Sequence, residues 1–461
     1  MRTPRSGNYS DTPRRPHPLP PARHTRALPS DLLAITGAFA ILIVGLWVRH
    51  GGVAALSKGW ADAATSITQL SGLLASGFGL VGLALVGRPR SVERHIGLDR
   101  MFVWHRILGE TMTLLVGVHI AAALVAWSAA GGLLNAVKDL TGRQPYMALA
   151  TVGSMLIAVV TISSLASVRR RMSYETWYFV HLAAYVGFAM SFGHQLVTGD
   201  IFGNDTVARV LWISIHLALI ALLVVRRWGT TMRSVLRPLR IADVRTVSPD
   251  TVAVRLAGPG LGRIEASAGQ FFFLRPLRAR WWWQAHPFSL SAAPSSAGLR
   301  FTIKNRGDAS RSIAQMPLGT KIAVEGPYGS CTAESIGSKK ALFIVGGVGV
   351  APARAMVEAM SEVNEPVVLF RASRHEDLLH LDELRELVDA RGGMLRTLVG
   401  PSASLAVKDP FSARRLTEVV PDLADRAVVV CGPDRLVWAA RQGLRAAGIP
   451  TSSVHFERPW W

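Results

Sequence analysis

Six runs of about 20 mostly apolar residues follow one another through the first half of this 461-residue chain, at 31–48, 68–87, 101–127, 146–168, 174–197 and 207–225. As a helix, each is long enough to cross the ~30 Å hydrocarbon core of a bilayer. Buried helices of a water-soluble protein rarely run this long without charge, so the expected architecture of this half is a six-helix transmembrane bundle.

Lys and Arg in short loops tend to stay on the cytoplasmic side. Eighteen lie in the tail before residue 31, in 88–100, near 170 and at the exit of the last run. The alternate loops offer only the five residues Arg49, Lys58, Lys138, Arg143 and Arg209. A multi-pass protein of the cell membrane is expected, with both termini and the whole second half cytoplasmic. This asymmetry accounts for most of the formal charge of +20. No compact basic face or aromatic-interleaved basic motif appears, so no nucleic-acid partner is expected. Residues 1–30, rich in Pro and Arg, read as a disordered basic tail able to lie against anionic lipid, and not as a cleaved signal peptide. The two cysteines, Cys331 and Cys431, are too few for an iron–sulfur cluster and lie where a structural disulfide is not expected.

Ionisable side chains inside hydrocarbon are costly and mark function. The third run carries His105 and His119, 14 residues apart, and the fifth carries His181 and His194, 13 apart. Fourteen residues of helix rise about 21 Å and return to within roughly 40° of the starting face, which suits two haems stacked across the membrane. Thirteen residues rise about 20 Å but miss that face by roughly 140°, so a kink is needed, with Gly187 and Gly193 the places for it. The plainer alternative is that these histidines bridge helices through hydrogen bonds. For His216, alone on the last run, and His95, beside a basic loop, structural or interfacial roles are the expectation.

With these spacings the spans resemble the ferric reductase transmembrane domain shared with NADPH oxidases. The resemblance implies that His105 and His181 hold an inner haem b, and His119 and His194 an outer one.

From about residue 238 the texture changes to short apolar runs, such as Thr251 to Leu256, Gln270 to Leu274 and Leu299 to Lys304, which read as strands of a small antiparallel barrel. HPFSLS begins at His286, and Pro287 holds the chain extended so that Phe288 and Ser289 can offer an isoalloxazine an apolar contact and a hydrogen bond. KNRGDASRSI then leaves a strand at Lys304 through Gly307 into a helix whose first turn holds Ser310, a geometry that favours a pyrophosphate. The order HPFS, KxxGxxS, GPYG resembles the FAD-binding domain of the ferredoxin–NADP reductase superfamily. His286 stands where many members have Arg, and FAD is implied over FMN. Trp281 to Trp283 precede the motif and are expected either to press this domain onto the membrane or to pack in its core.

Ala341 to Val345 is an apolar strand that runs into GGVGVAP, where Gly346, Gly347, Gly349 and Pro352 form a phosphate cradle ahead of a helix. Arg371, Ser373 and Arg374 follow the next strand, and two arginines there favour NADPH modestly over NADH. A further strand ends in Cys431, Gly432 and Pro433. The superfamily resemblance places this Cys near the nicotinamide and implies a C-terminal Glu followed by a flavin-covering aromatic, to which Glu457 and, one position late, Trp460 correspond.

The expected domains are 1–30, 31–227 (transmembrane haem domain), 238–335 (FAD-binding β-barrel) and 340–461 (NAD(P)-binding α/β domain). The resemblance implies electron transfer from cytoplasmic NAD(P)H through FAD and two b-type haems to an extracytoplasmic acceptor such as ferric iron. The alternatives are an oxidase forming superoxide, a haem-free membrane-anchored flavin reductase, and a metal-binding or transport module regulated by a nucleotide domain.

Overall fold

The computed structural model describes residues 29–88, 97–138, 141, 144–198, 200–278, 281–401 and 409–457. The chain divides into two compact units, Arg26–Gly229 and Thr230–Trp461. Of the expected N-terminal tail, Pro29 and Ser30 already belong to the first helix, and the rest lies outside the described residues.

The first unit consists of α1 (Pro29–Arg49), α2 (Trp60–Val86), α3 (Leu98–Lys138), α4 (Met147–Ser164), α5 (Tyr174–Met190), α6 (Phe192–Val197) and α7 (Thr206–Leu222), with short helical pieces between them. Two starts carry side-chain caps that satisfy open backbone donors: Ser173 Oγ accepts from Thr176 N, and Asp205 Oδ1 from Ala208 N. Among the described residues five helices are long and apolar enough to cross a membrane: α1 to α4 and the run Thr206–Leu236 that begins with α7. Their outer faces leave apolar side chains uncovered, as at Ile41, Leu114 and Val207, which is the surface a lipid solvent requires.

The segment expected as the fifth span differs. It is interrupted at Ser191, leaving α5 with 17 residues and α6 with six. Ser191 Oγ donates back to Gly187 O at 2.9 Å, a bond that bends helices. The two flanking glycines do a different job. A Cβ built on Gly187 would lie 2.8 Å from Gly153 O of α4, and one on Gly193 would lie 2.8 Å from the Tyr146 ring. Gly187 lets the backbones of α4 and α5 close on each other, as small residues do between membrane helices, and Gly193 makes room for the Tyr146 ring.

The second unit holds two sheets. Strands β1 (Leu239–Ser248), β2 (Thr251–Ala257), β3 (Phe271–Pro276), β4 (His286–Ser289), β5 (Leu299–Lys304) and β6 (Lys321–Tyr328) form an antiparallel sheet in the order β4-β3-β6-β1-β2-β5. A bridge between Leu290 and Phe301 joins the chain just past β4 to β5 at the other edge. Leu256, Phe272, Leu274, Leu299 and Phe301, fully buried, form its core. The second sheet, in the order β11-β10-β7-β8-β9, is parallel, from β7 (Ala341–Gly346), β8 (Val367–Ala372), β9 (Met394–Val399), β10 (Ala427–Cys431) and β11 (Val454–Glu457). Every residue of β7 and β10 is buried, as a sheet covered on both faces requires. Phe343 and Val345 pack with one core, Leu342 and Ile344 with another, following the two-residue alternation of a strand.

Candidate functional site

In the first unit the four histidines stand in two tiers, each shared between α3 and the α5–α6 segment. The rings of His105 and His181 are 6.0 Å apart between centroids, and those of His119 and His194 are 6.1 Å apart. On α3 both rings are oriented by α2. His119 Nδ1 lies 2.8 Å from Thr68 O, and His105 Nδ1 lies 3.1 Å from Gly82 O. A carbonyl only accepts, so each Nδ1 carries the proton and each Nε2 keeps its lone pair for a ligand. Ser164 Oγ lies 3.3 Å from His181 Nδ1, and Trp177 stacks on that ring at 4.9 Å.

Sequence reasoning missed the part played by α2. A Cβ on Gly72 would come within 2.6 Å of His119 Nδ1, and one on Gly79 within 2.6 Å of Phe188. The spacing of glycines at 72, 79 and 82 was visible, but it carries no chemistry until the partner helix is known.

This donor set fits a haem better than a bare ion. Among the described residues no group of three or more His, Cys, Asp or Glu could hold a metal. A haem would bring its own porphyrin nitrogens and ask the protein for two further donors, which the facing imidazoles of each tier could supply. His216 is separate: Nδ1 meets Trp212 O at 2.9 Å in an aromatic nest of Phe188, Phe192 and Trp212.

In the second unit His286, Pro287, Phe288 and Ser289 make up β4, all half-buried, paired with Phe271 to Leu274 of β3. His286 Nε2 is 3.0 Å from Gln284 Oε1. On β6, beside β3 in the same sheet, the buried Glu325 accepts from Arg275 at 3.2 Å and from Thr231 Oγ1 at 2.9 Å. After β5, Gly307 caps the helix α8 (Asp308–Ala314), and Ser310 Oγ accepts from the amides of Arg306 and Gly307. Lys304 is held between Asp250 and Asp377, 3.2 Å from each. Burial pushes the Asp377 carboxyl up, but its bonds to Lys304 and Arg374 outweigh that and leave it below its ordinary value.

The second sheet sends β8 to one side of β7 and β10 to the other, so the crevice at their C-terminal ends is a topological switch point, where such folds take ligands. Gly346, Gly347 and Gly349 lie on one side of it and Cys431, Gly432 and Pro433 on the other. A Cβ on Gly349 would overlap the Cys431 carbonyl, and one on Gly432 would lie 3.2 Å from Gly346 N. Gly347, at φ 56°, adopts a conformation that favours glycine, with open space around it. Pro352 sits in the first turn of α9 (Val350–Ala359). Cys431 is buried, and Glu457 is its partner in the β10–β11 register. Trp460 lies outside the described residues. Arg371 donates to the carbonyls of Ala372, Leu398 and Gly400, and Arg374 pairs with Glu376 and Asp377, so both arginines hold protein groups, while Ser373 is exposed.

Sequence reasoning also missed a polar clamp between the two sheets. Glu383, at the start of α10 (Leu381–Asp389), pairs with Arg300 of β5 at 2.9 Å and with Arg354 of α9 at 2.8 Å. Both arginines donate to Ser291 O, and His380 reaches Thr302 Oγ1 at 2.8 Å. The tryptophan run divides: Trp281 packs against the core, while Trp282 is 61% exposed.

Three families match the chain: ferric reductase like transmembrane component over residues 71–192, FAD-binding domain over 237–332, and oxidoreductase NAD-binding domain over 343–442. A propane 2-monooxygenase reductase component from Rhodococcus jostii is 28% identical over 239 residues, 48% of this chain and 62% of that protein. A probable ferric reductase transmembrane component from Candida albicans is 24% identical over 303 residues, 62% of this chain and 42% of that protein. The chain thus spans less than two thirds of the length of either relative. Among solved structures, the cytochrome b5 reductase domain of Ulva prolifera nitrate reductase aligns with 48% of this chain and 97% of its own at 15% identity and a TM-score of 0.42.

Proposed function

Because residues 71–192 match the ferric reductase like transmembrane component, and residues 237–332 and 343–442 match FAD- and NAD-binding domains, we propose that the chain carries electrons from NAD(P)H across a membrane to an acceptor such as a ferric chelate. The observation that carries the proposal is the two-tier histidine arrangement: two facing imidazole pairs, with the α3 rings fixed by backbone carbonyls of α2.

In this reading His105 and His181 hold an inner b-type haem and His119 and His194 an outer one. When bound, FAD takes two electrons from the nicotinamide together and releases them singly to haem, which is the chemistry these groups supply. Gly346, Gly347 and Gly349 bring backbone close to the dinucleotide phosphates, with Pro352 in the following helical turn. Arg371, Ser373 and Arg374 face its adenosine end. Cys431, Gly432 and Pro433 pack beside the nicotinamide, with Glu457 and Trp460 closing the flavin side. His286 to Ser289 line the isoalloxazine, and Lys304, Gly307 and Ser310 form the pyrophosphate end.

The finer architecture belongs to the same proposal. Six spans, counting α5 with α6, put both termini on the cytoplasmic side. The Leu290–Phe301 bridge supports closure of the antiparallel sheet into a barrel. Domain limits at 31–227, 238–335 and 340–461 follow.

The test is made on full-length protein in sealed vesicles. Haem and flavin are quantified, NADPH is added anaerobically, and an impermeant ferric chelate is supplied on one face. Two haems per flavin and chelate reduction on the face opposite NADPH are expected. A preparation replete in flavin but lacking haem overturns the reading, and chelate reduction that requires oxygen assigns the acceptor to oxygen instead.

A further inference from the structure

A cavity of about 430 Å³ opens where the outer face of β1 and β2 meets the residues leading into α10. None of the residues assigned above to flavin or dinucleotide lines it. Its size is within the range of small-molecule sites. The walls combine apolar surface, from Val247, Ala253, Leu378 and Leu381, with the guanidinium groups of Arg245, Arg255 and Arg300.

The three arginines differ in what balances them. Arg245 is bonded to Asp243 at 2.8 Å, and Arg300 to Glu383. Arg255 is half-buried, and among the described residues no carboxylate lies within ion-pair distance of it. In the β2–β5 register Arg255 stands directly opposite Arg300. Like charges facing across a ladder destabilise it. The Nε atoms of both are buried with no acceptor, so the donors an anion in the cavity can meet are the terminal nitrogens, and those of Arg300 already donate to Glu383 and to Ser291 O. The wall carboxylates do not balance Arg255. Asp243 is taken by Arg245, Glu383 is shared between Arg300 and Arg354, and Asp382 is 92% exposed beside Arg385.

We propose that this cavity binds a small oxyanion, carboxylate or phosphate, between Arg255 and Arg300, with the apolar wall accommodating its organic part. A guanidinium pair offers parallel N–H donors matched to either oxyanion. One wall belongs to the antiparallel sheet and the other to the residues that precede and begin α10, so the bound anion joins the two and opposes their separation.

The experiment uses full-length, FAD-loaded protein in detergent, titrated with inorganic phosphate and separately with citrate against chloride at equal ionic strength. Calorimetry and thermal unfolding are read together. One saturable site per chain and an upward unfolding shift are expected for at least one probe, and whichever binds identifies the oxyanion. Arg255→Gln should weaken binding at least about tenfold, while Arg263→Gln, at an exposed position outside the cavity lining, should bind as the parent does. Ala253→Leu, which fills the cavity without touching a charge, should also abolish binding, and it keeps the test decisive should Arg255→Gln not fold. Absence of saturable binding for both probes, parental binding in both Arg255→Gln and Ala253→Leu, or displacement of the anion by NADP⁺ would each overturn the proposal.

Discussion

His119 reaches the carbonyl of Thr68 because Gly72 has no side chain: a Cβ at that position would stand 2.6 Å from the same Nδ1. Gly72→Ala should therefore push the ring off its carbonyl and, on the proposed reading, cost the His119–His194 tier its haem. The haem-to-flavin ratio, by pyridine haemochromogen assay, should fall from about two to about one. Gly37→Ala is the control, since nothing lies within 4 Å of a Cβ there. An unchanged ratio and spectrum in Gly72→Ala would remove His119 as a ligand.

The contact between Gly349 and the Cys431 carbonyl leaves no room for a methyl group. Gly349→Ala should displace the loop from the β10 end by strain of roughly 1–3 kcal/mol, enough to slow NADPH-driven flavin reduction by tenfold or more. Chemical reduction by dithionite bypasses the crevice and should be unaffected. Stopped-flow flavin absorbance separates the two, and equal slowing of both would point to general misfolding instead.

Glu383 binds the clamp through charge. Hydrogen bonding from His380 lowers its carboxyl most, burial opposes this, and Arg300 and Arg354 add to the lowering, leaving it well below its ordinary 4.5. A carboxyl depressed in the folded state stabilises fully above its unfolded value and loses that contribution as pH falls toward the folded one. Glu383→Gln should lower the unfolding temperature at pH 7, by an amount tempered by the 44% exposure of the side chain. The difference from the parent should shrink progressively below pH 4.5. A pH-independent difference would mean that packing, not charge, carries the contact.

Trp281 and Trp282 should separate cleanly. Trp281→Ser removes a core contact and is expected to destabilise by about 2 kcal/mol, less than for a fully enclosed aromatic. Trp282→Ser should leave stability and NADPH-to-flavin transfer intact while weakening flavin-to-haem transfer, as an interfacial Trp would. Unimpaired haem reduction in Trp282→Ser would end the membrane-docking idea.

Features governed by local pattern were legible in the sequence. Apolar length marked α1 to α4, short apolar runs marked β2, β3 and β5, and the step from apolar strand to glycine turn marked β7 and Gly346. Features made by residues distant in sequence were not. Arg300, Arg354 and Glu383 look like surface charges until the fold brings them onto Ser291 and one another. Lys304 opens the KxxGxxS pattern, yet two aspartates hold it, one from the β1–β2 turn and one from the 3-10 turn that follows β8. In the sequence the flexibility of Gly187 and Gly193 is the cue for a kink in this segment, yet the interruption lies at Ser191. The structure uses those glycines for close packing and a serine hydroxyl for the bend.

That interruption works as a swivel. Because α5 and α6 are not one continuous rod, the azimuth of His194 is set independently of His181, and a single residue gained or lost at the joint would rotate the His194 ring by about 100° without disturbing His181. The two histidine tiers can thus be tuned separately.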